Sequence, residues 1–316
     1  MYYLCKDKAE FEENAKRVIG HANVSQEYSL EVISENKGAP LNAMNTLQMT
    51  MKAKAVEAWL VNNDAKAFRH YCYVASKLDI LAVSGRSYET FRPYQVYVPS
   101  SQNPYFHLFF ILMSDAPGPI DFIIRNADQV FPDENRFNVP NVGHYMMTNI
   151  KLALLGEDWD LLRTRAQALL NDVPKRAKKW VAVFEFMVGL STQDVEQMKA
   201  ALNALLVPRA AKIAANNLLP YVDFFLQPQV LFYGKIASRY GYDLGIDTEI
   251  APKALIEYAP LEEYTDPYDF MKEYDLSAPY EFQYEWIDRY TPKKNNQPSE
   301  PEEAMSLVDA LKRLVR

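Results

Sequence analysis

LALLGEDWDLLRTRAQALL at residues 152–170 and FMVGLSTQDVEQMKAALNALL at residues 186–206 decide the fold. Each runs from an apolar stretch through a short polar turn closing on Asp into a second stretch with apolar residues at helical spacing. Aligned on Asp158 and Asp194, they set Leu162 on Met198 and Leu169-Leu170 on Leu205-Leu206, a period of 36 residues. That is the length of a helix pair in a repeat array. Asp at a helix start accepts hydrogen bonds from free backbone N–H groups and suits the positive end of the helix dipole. A third copy of the turn, Leu60-Val-Asn-Asn-Asp64, follows KAKAVEAWLV. The helices entering the three turns, KAKAVEAWLV, YMMTNIKLALL and KWVAVFEFMVGL, are apolar around much of their circumference, which places them inside a stack of antiparallel hairpins. The expected class is all-α: an irregular array of antiparallel helix hairpins, in part like an α-solenoid or tetratricopeptide array.

Composition agrees with this reading. The chain has 316 residues, 49% hydrophobic and 24% charged, enough to bury a sizeable core and far from the disordered class. Only 10 are Gly, too few for the turns of closely spaced strands. Residues 1–290 are expected to form a single helical domain with three unlike parts. Residues 84–143 carry Pro93, Pro99, Pro104, Pro117, Pro119, Pro132 and Pro140, spacing that breaks helices, and are read as a Pro-rich non-helical insert that wraps the body or joins two lobes. Within it YQVYV at 94–98 alternates like a short strand. Residues 144–256 hold the hairpin repeats and FLQPQVLFYGKIASRYGYDLGID, one helix expected to end at Gly241. Residues 257–290 are acidic and aromatic. TPKKNNQPSEP, 291–301, reads as an exposed linker. Residues 302–316 read as an amphipathic helix with Ala304, Leu307, Val308, Leu311 and Leu314 on one face, docking on its own body.

Chemical motifs are missing from the string. His21, His70, His107 and His144 stand far apart, without the spacing of a zinc site. Cys5 and Cys72 form no CxxC, and Cys72 stands two residues from His70, a spacing that does not face one helical side chain toward the other. There is no Gly-rich phosphate loop, nucleophile elbow or calcium loop. No cofactor, metal or catalytic residue is expected. The acidic N-terminus lacks the basic and apolar regions of a signal peptide, so the expected location is cytoplasmic. YFHLFFILM at 105–113 is too short to span a bilayer.

The net charge of −7 argues against nucleic acid or an anionic membrane as direct partner. The segment between 257 and 290 carries it and the rest of the chain is about neutral, since ten carboxylates face only Lys272 and Arg289 among ten aromatic residues there. The candidate partner-binding residues are Glu263, Asp266, Tyr268, Asp269, Glu273, Asp275, Tyr280, Glu281, Tyr284 and Trp286. Tyr and Trp are enriched in binding hot spots, and carboxylates steer a basic partner into contact. The alternative is that the rings are core for the C-terminal helices and the acids their wet side. Carboxylate pairs such as Asp266 with Asp269, or Glu281 with Glu285, also recur in AEFEEN and SEPEEA, where the spacing is plain surface, so they mark no hydrolase site.

AVEAWLVNNDAKAFRHYCYVASKL, the two hairpin stretches and LFYGKIASRYGYDLGIDTEIAPKALI, together spanning roughly residues 45–260, resemble the immunity protein 49 family of helical proteins encoded beside bacterial polymorphic toxins. The acidic end and the Pro-rich insert have no counterpart in that resemblance. It implies a non-enzymatic cytoplasmic inhibitor that binds a cognate toxin. The acidic aromatic segment, taken by itself, adds the expectation of a plug that mimics nucleic acid in the basic groove of a nuclease-like toxin. A helical-repeat adaptor for some other protein is the competing expectation.

Overall fold

The computed structural model describes residues 4–83, 86–87, 105–127, 131, 142–216, 218–277 and 286–288. It is all-α. The helices are α1 (Lys8–Ala22), α2 (Glu27–Ser34), α3 (Pro40–Asn62), α4 (Ala65–Val83), α5 (Tyr105–Met113), α6 (Pro117–Arg125), α7 (Val142–Leu155), α8 (Trp159–Asn171), α9 (Val181–Thr192), α10 (Val195–Ala204), α11 (Pro208–Ala215), α12 (Pro228–Arg239), α13 (Lys253–Ile256) and α14 (Asp269–Lys272). A 3-10 turn at Lys175–Trp180 leads into α9. Among the described residues the strands amount to one parallel pair of two residues each, β1 (Arg86–Ser87) beside β2 (Ile287–Asp288).

The three expected hairpins are present, and their turns share a mechanism. Asp64 Oδ1 accepts the amides of Lys66 and Ala67, Asp158 Oδ1 that of Leu161, and Asp194 Oδ1 that of Gln197. In the first and third turns the same Asp also closes the preceding helix, because its own N–H reaches back to Ala58 O and Gly189 O. The residue before it, Asn63 or Gln193, takes a positive φ and completes the C-terminal motif. Gly156 supplies the positive φ in the second turn. One residue therefore stops one helix and starts the next, which makes the pair tight and antiparallel. The 36-residue register holds in space: Leu162 and Met198 are both fully buried, and Leu169 and Leu205 are buried.

The insert differs from expectation. Residues 105–113 and 117–125 are helices α5 and α6, and α5 lies in the centre of the molecule, against α4, α6 and α12. Its Tyr105 and Leu108 to Met113 are all buried. Prolines do not exclude these helices, because Pro117 and Pro119 fall in the first turn of α6, where the missing N–H has no helical partner to lose. Residues 105–113 and 117–125 are thus part of the core. YQVYV, the linker 291–301 and the segment 302–316 lie outside the described residues.

Helix α12 joins the parts, touching α5, α9, α10, α11 and α13. It ends as expected at Gly241, whose φ is +83°, but starts only at Pro228, where Gln227 Oε1 caps Gln229 N at 3.0 Å. One continuous apolar core extends from Val18 to Leu276. A second joins α2, α3 and α4 to Tyr268, Met271 and Trp286.

Candidate protein-binding surface

From Glu257 to Ser277 the chain runs as a strap over α4, with little helix of its own. Three sets of anchors fix it. The first is an ion cluster at Asp115, which occupies the α5–α6 junction with φ +56° and no solvent exposure. Asp115 Oδ2 accepts Arg69 Nε at 2.8 Å, Lys235 Nζ at 2.7 Å and the Ala259 amide at 3.1 Å. Arg69 also donates to Ala254 O at 2.6 Å, and Lys235 to Glu257 O at 2.6 Å. Helices α4 and α12 thus hold the start of the strap through one carboxylate. Burial lowers the Lys235 amine to about 8, and Asp115 only partly opposes the shift.

The second anchor is Asp266, which accepts Tyr73 Oη at 2.9 Å and Lys77 Nζ at 2.6 Å, the Lys and Asp side chains being nearly buried. Nearby, Tyr264 Oη donates to Ser114 O at 2.8 Å, and burial raises its phenol to about 12. The third anchor is aromatic. Tyr268 and Trp286 are each 7% exposed and pack with Met271 against Leu41, Met44, Leu47 and Leu78. Phe270 stacks on Tyr268 at 5.8 Å and meets Trp286 edge-on at 6.1 Å. Tyr268 Oη donates to Gln26 Oε1 at 2.6 Å.

The structure therefore divides the expected contact residues. Tyr268 and Trp286 are corrected from contact residues to anchors, because their rings fill the space between α3 and α4. Asp266 is committed to Tyr73 and Lys77. Glu263, Asp269, Glu273 and Asp275 stand on the solvent side, with Asp269 paired to Lys272 at 2.7 Å and Asp275 bonded to Ser277. The carboxylates of Glu262, Glu263 and Glu273 have no hydrogen-bond or ion-pair partner among the described residues. Tyr280, Glu281 and Tyr284 lie outside the described residues.

Sequence reasoning missed Arg69, Asp115 and Lys235. A signal was present: Lys235 sits alone in the apolar LFYGKIAS, Lys52 shares MTMKAKAV with Lys54, and a cation on a buried helix face demands a partner. Lys52 donates to Phe106 O at 3.4 Å and meets two rings, with Nζ 4.2 Å from the Phe106 centroid and 5.1 Å from that of Phe110. Elsewhere, Asp79 holds His107 Nδ1 at 2.7 Å, and His21 contacts Tyr221. Cys5 and Cys72 are both buried and unpaired with each other. Among the described residues no group of His, Cys, Asp and Glu is arranged to hold a metal ion, and no helix is long and apolar enough to cross a membrane. Compared with known proteins, the chain matches no family model, no curated protein and no solved structure.

Proposed function

We propose that the protein is an immunity protein, binding a cognate bacterial toxin and neutralising it by direct contact, without chemistry of its own. The observation that carries this reading is the acidic strap: Glu262, Glu263 and Glu273 are exposed and unpaired on a segment whose rings and Asp266 are anchored to the body. An anchored segment loses little conformational entropy on binding, so its carboxylates act as a pre-organised surface. They suit a basic surface such as the substrate groove of a nuclease-like toxin, where they would take the place of phosphates. The resemblance of residues 45–260 to the immunity protein 49 family supplies the biological setting.

Co-expression with the product of the neighbouring gene tests the reading. The expected result is a complex that survives purification and cells that grow when the toxin is induced. Neutralising Glu262, Glu263 and Glu273 together is expected to weaken that complex and leave the fold intact. Absence of both complex and protection overturns it. The hairpin array also favours a scaffold role, and a stable complex with a non-toxic neighbour would establish that second reading instead.

A further inference from the structure

We propose that the cleft between the first turns of α4 and the strap is a socket for an arginine side chain of a basic protein partner. This deepens the reading just given and rests on it. The cleft has a volume of about 680 Å³, within the range of ligand sites. One rim carries Glu262 and Glu263, both exposed and unpaired, and Leu261 and Tyr71 supply apolar wall. His70 lines the opposite side. Burial holds its pKa below the ordinary value, Asp266 opposing only in part, so the imidazole is neutral at pH 7 and offers an acceptor nitrogen. The floor is formed by Arg69 and Ala259, which both bond Asp115 Oδ2. Behind that floor Asp115 Oδ1 is buried with no hydrogen-bond partner.

The groups that line the cleft are mostly acceptors: two carboxylates and an imidazole nitrogen. Arg69 is committed to Asp115 and to backbone carbonyls, which leaves Lys66 as the accessible cation among the described lining residues. An anionic guest would meet Glu262 and Glu263 at the entrance. A guanidinium fits better than an ammonium, because its planar fork brings five donors to the two carboxylates and the imidazole.

Calorimetric titration of the full chain with a capped peptide of four arginines between glycines tests the socket. The wild type is expected to bind it, and more tightly than the matching lysine peptide. The E262Q/E263Q variant is expected to bind about tenfold more weakly, while E13Q and E157Q, exposed acids outside the strap that do not line the cleft, change affinity by less than about twofold. Circular dichroism checks that each variant is folded. Unchanged binding by E262Q/E263Q, an equal loss in E13Q or E157Q, equal or tighter binding of the lysine peptide, or no binding by the wild type overturns the socket. The two readings fail separately: a chain that holds its toxin yet ignores the peptide overturns the socket alone. One that takes the peptide through Glu262 and Glu263 but holds no toxin overturns the immunity reading alone.

Discussion

At the scale of single residues, the buried charges determine how stability responds to pH and substitution. Lys52 is 1% exposed, and burial lowers its amine from 10.5 to about 8, with Asp79 only partly opposing. Between those two values the unfolded chain binds more protons than the folded one, so stability rises with pH from about 8 to 10.5. Below pH 8 the folded state carries a buried cation, partly offset by the Phe106 and Phe110 rings. Lys52→Met keeps the volume and adds sulfur–aromatic contact, so at pH 7 it is expected to stabilise the protein by about 1–3 kcal/mol and to flatten the alkaline rise. Urea midpoints at pH 7 and pH 10 measure both effects. Asp115 is the opposite case. Asn tolerates its positive φ, so Asp115→Asn removes the charge while keeping the backbone, and leaves Arg69 and Lys235 buried together without an anion. A loss of about 3–5 kcal/mol is expected. Adding Lys235→Met should recover part of it, and in a double-mutant cycle the two changes are expected to be non-additive in that direction.

At the scale of elements, the hairpins were legible in sequence because their determinants are local: an apolar period of 3.6 and an Asp that caps the second helix. Helix α5 was not, because YFHLFFILM is apolar on every side and carries no period, and the prolines around it resemble breakers until their positions within a first turn are known. Packing distance was invisible as well. A Cβ on Gly189 would stand 2.9 Å from the Met198 amide nitrogen and 3.2 Å from Asp194 O, both backbone atoms of the partner side of the hairpin. Helix propensity alone favours Gly189→Ala by about 1 kcal/mol. The close approach reverses the sign, and the substitution is expected to destabilise by about 1–3 kcal/mol. Gly20, in α1, has nothing within 4 Å of its would-be Cβ, so Gly20→Ala is expected to stabilise by roughly 0.5–1 kcal/mol. The two thermal midpoints should move in opposite directions; movement in the same direction would mean that α9 and α10 are not in close contact at Gly189.

At the scale of the whole molecule, residues 257–277 and Trp286 decide whether the protein presents a surface or closes a core, and they do both with different side chains. Sequence showed the mixture of acids and rings but not the division, because that depends on α2, α3 and α4, more than 170 residues away in the chain. Tyr268 and Trp286 complete a core those helices leave open, and Asp266 meets Lys77 only once α4 is in place. Anchors and free acids should therefore separate in two measurements. Trp286→Ala removes a ring from the second core and is expected to lower stability by about 3–5 kcal/mol. Its effect on partner binding should follow from release of the strap and appear together with faster hydrogen exchange across 264–276. Glu273→Gln touches no partner in the fold, so stability should change by less than about 0.5 kcal/mol, the range of ordinary surface substitutions. Its effect should appear instead as slower association with a basic partner and a weaker dependence of that rate on salt. If Glu273→Gln destabilised the protein as much as Trp286→Ala, the carboxylates would belong to the fold, and the strap would be a structural seam with no surplus charge to offer a partner.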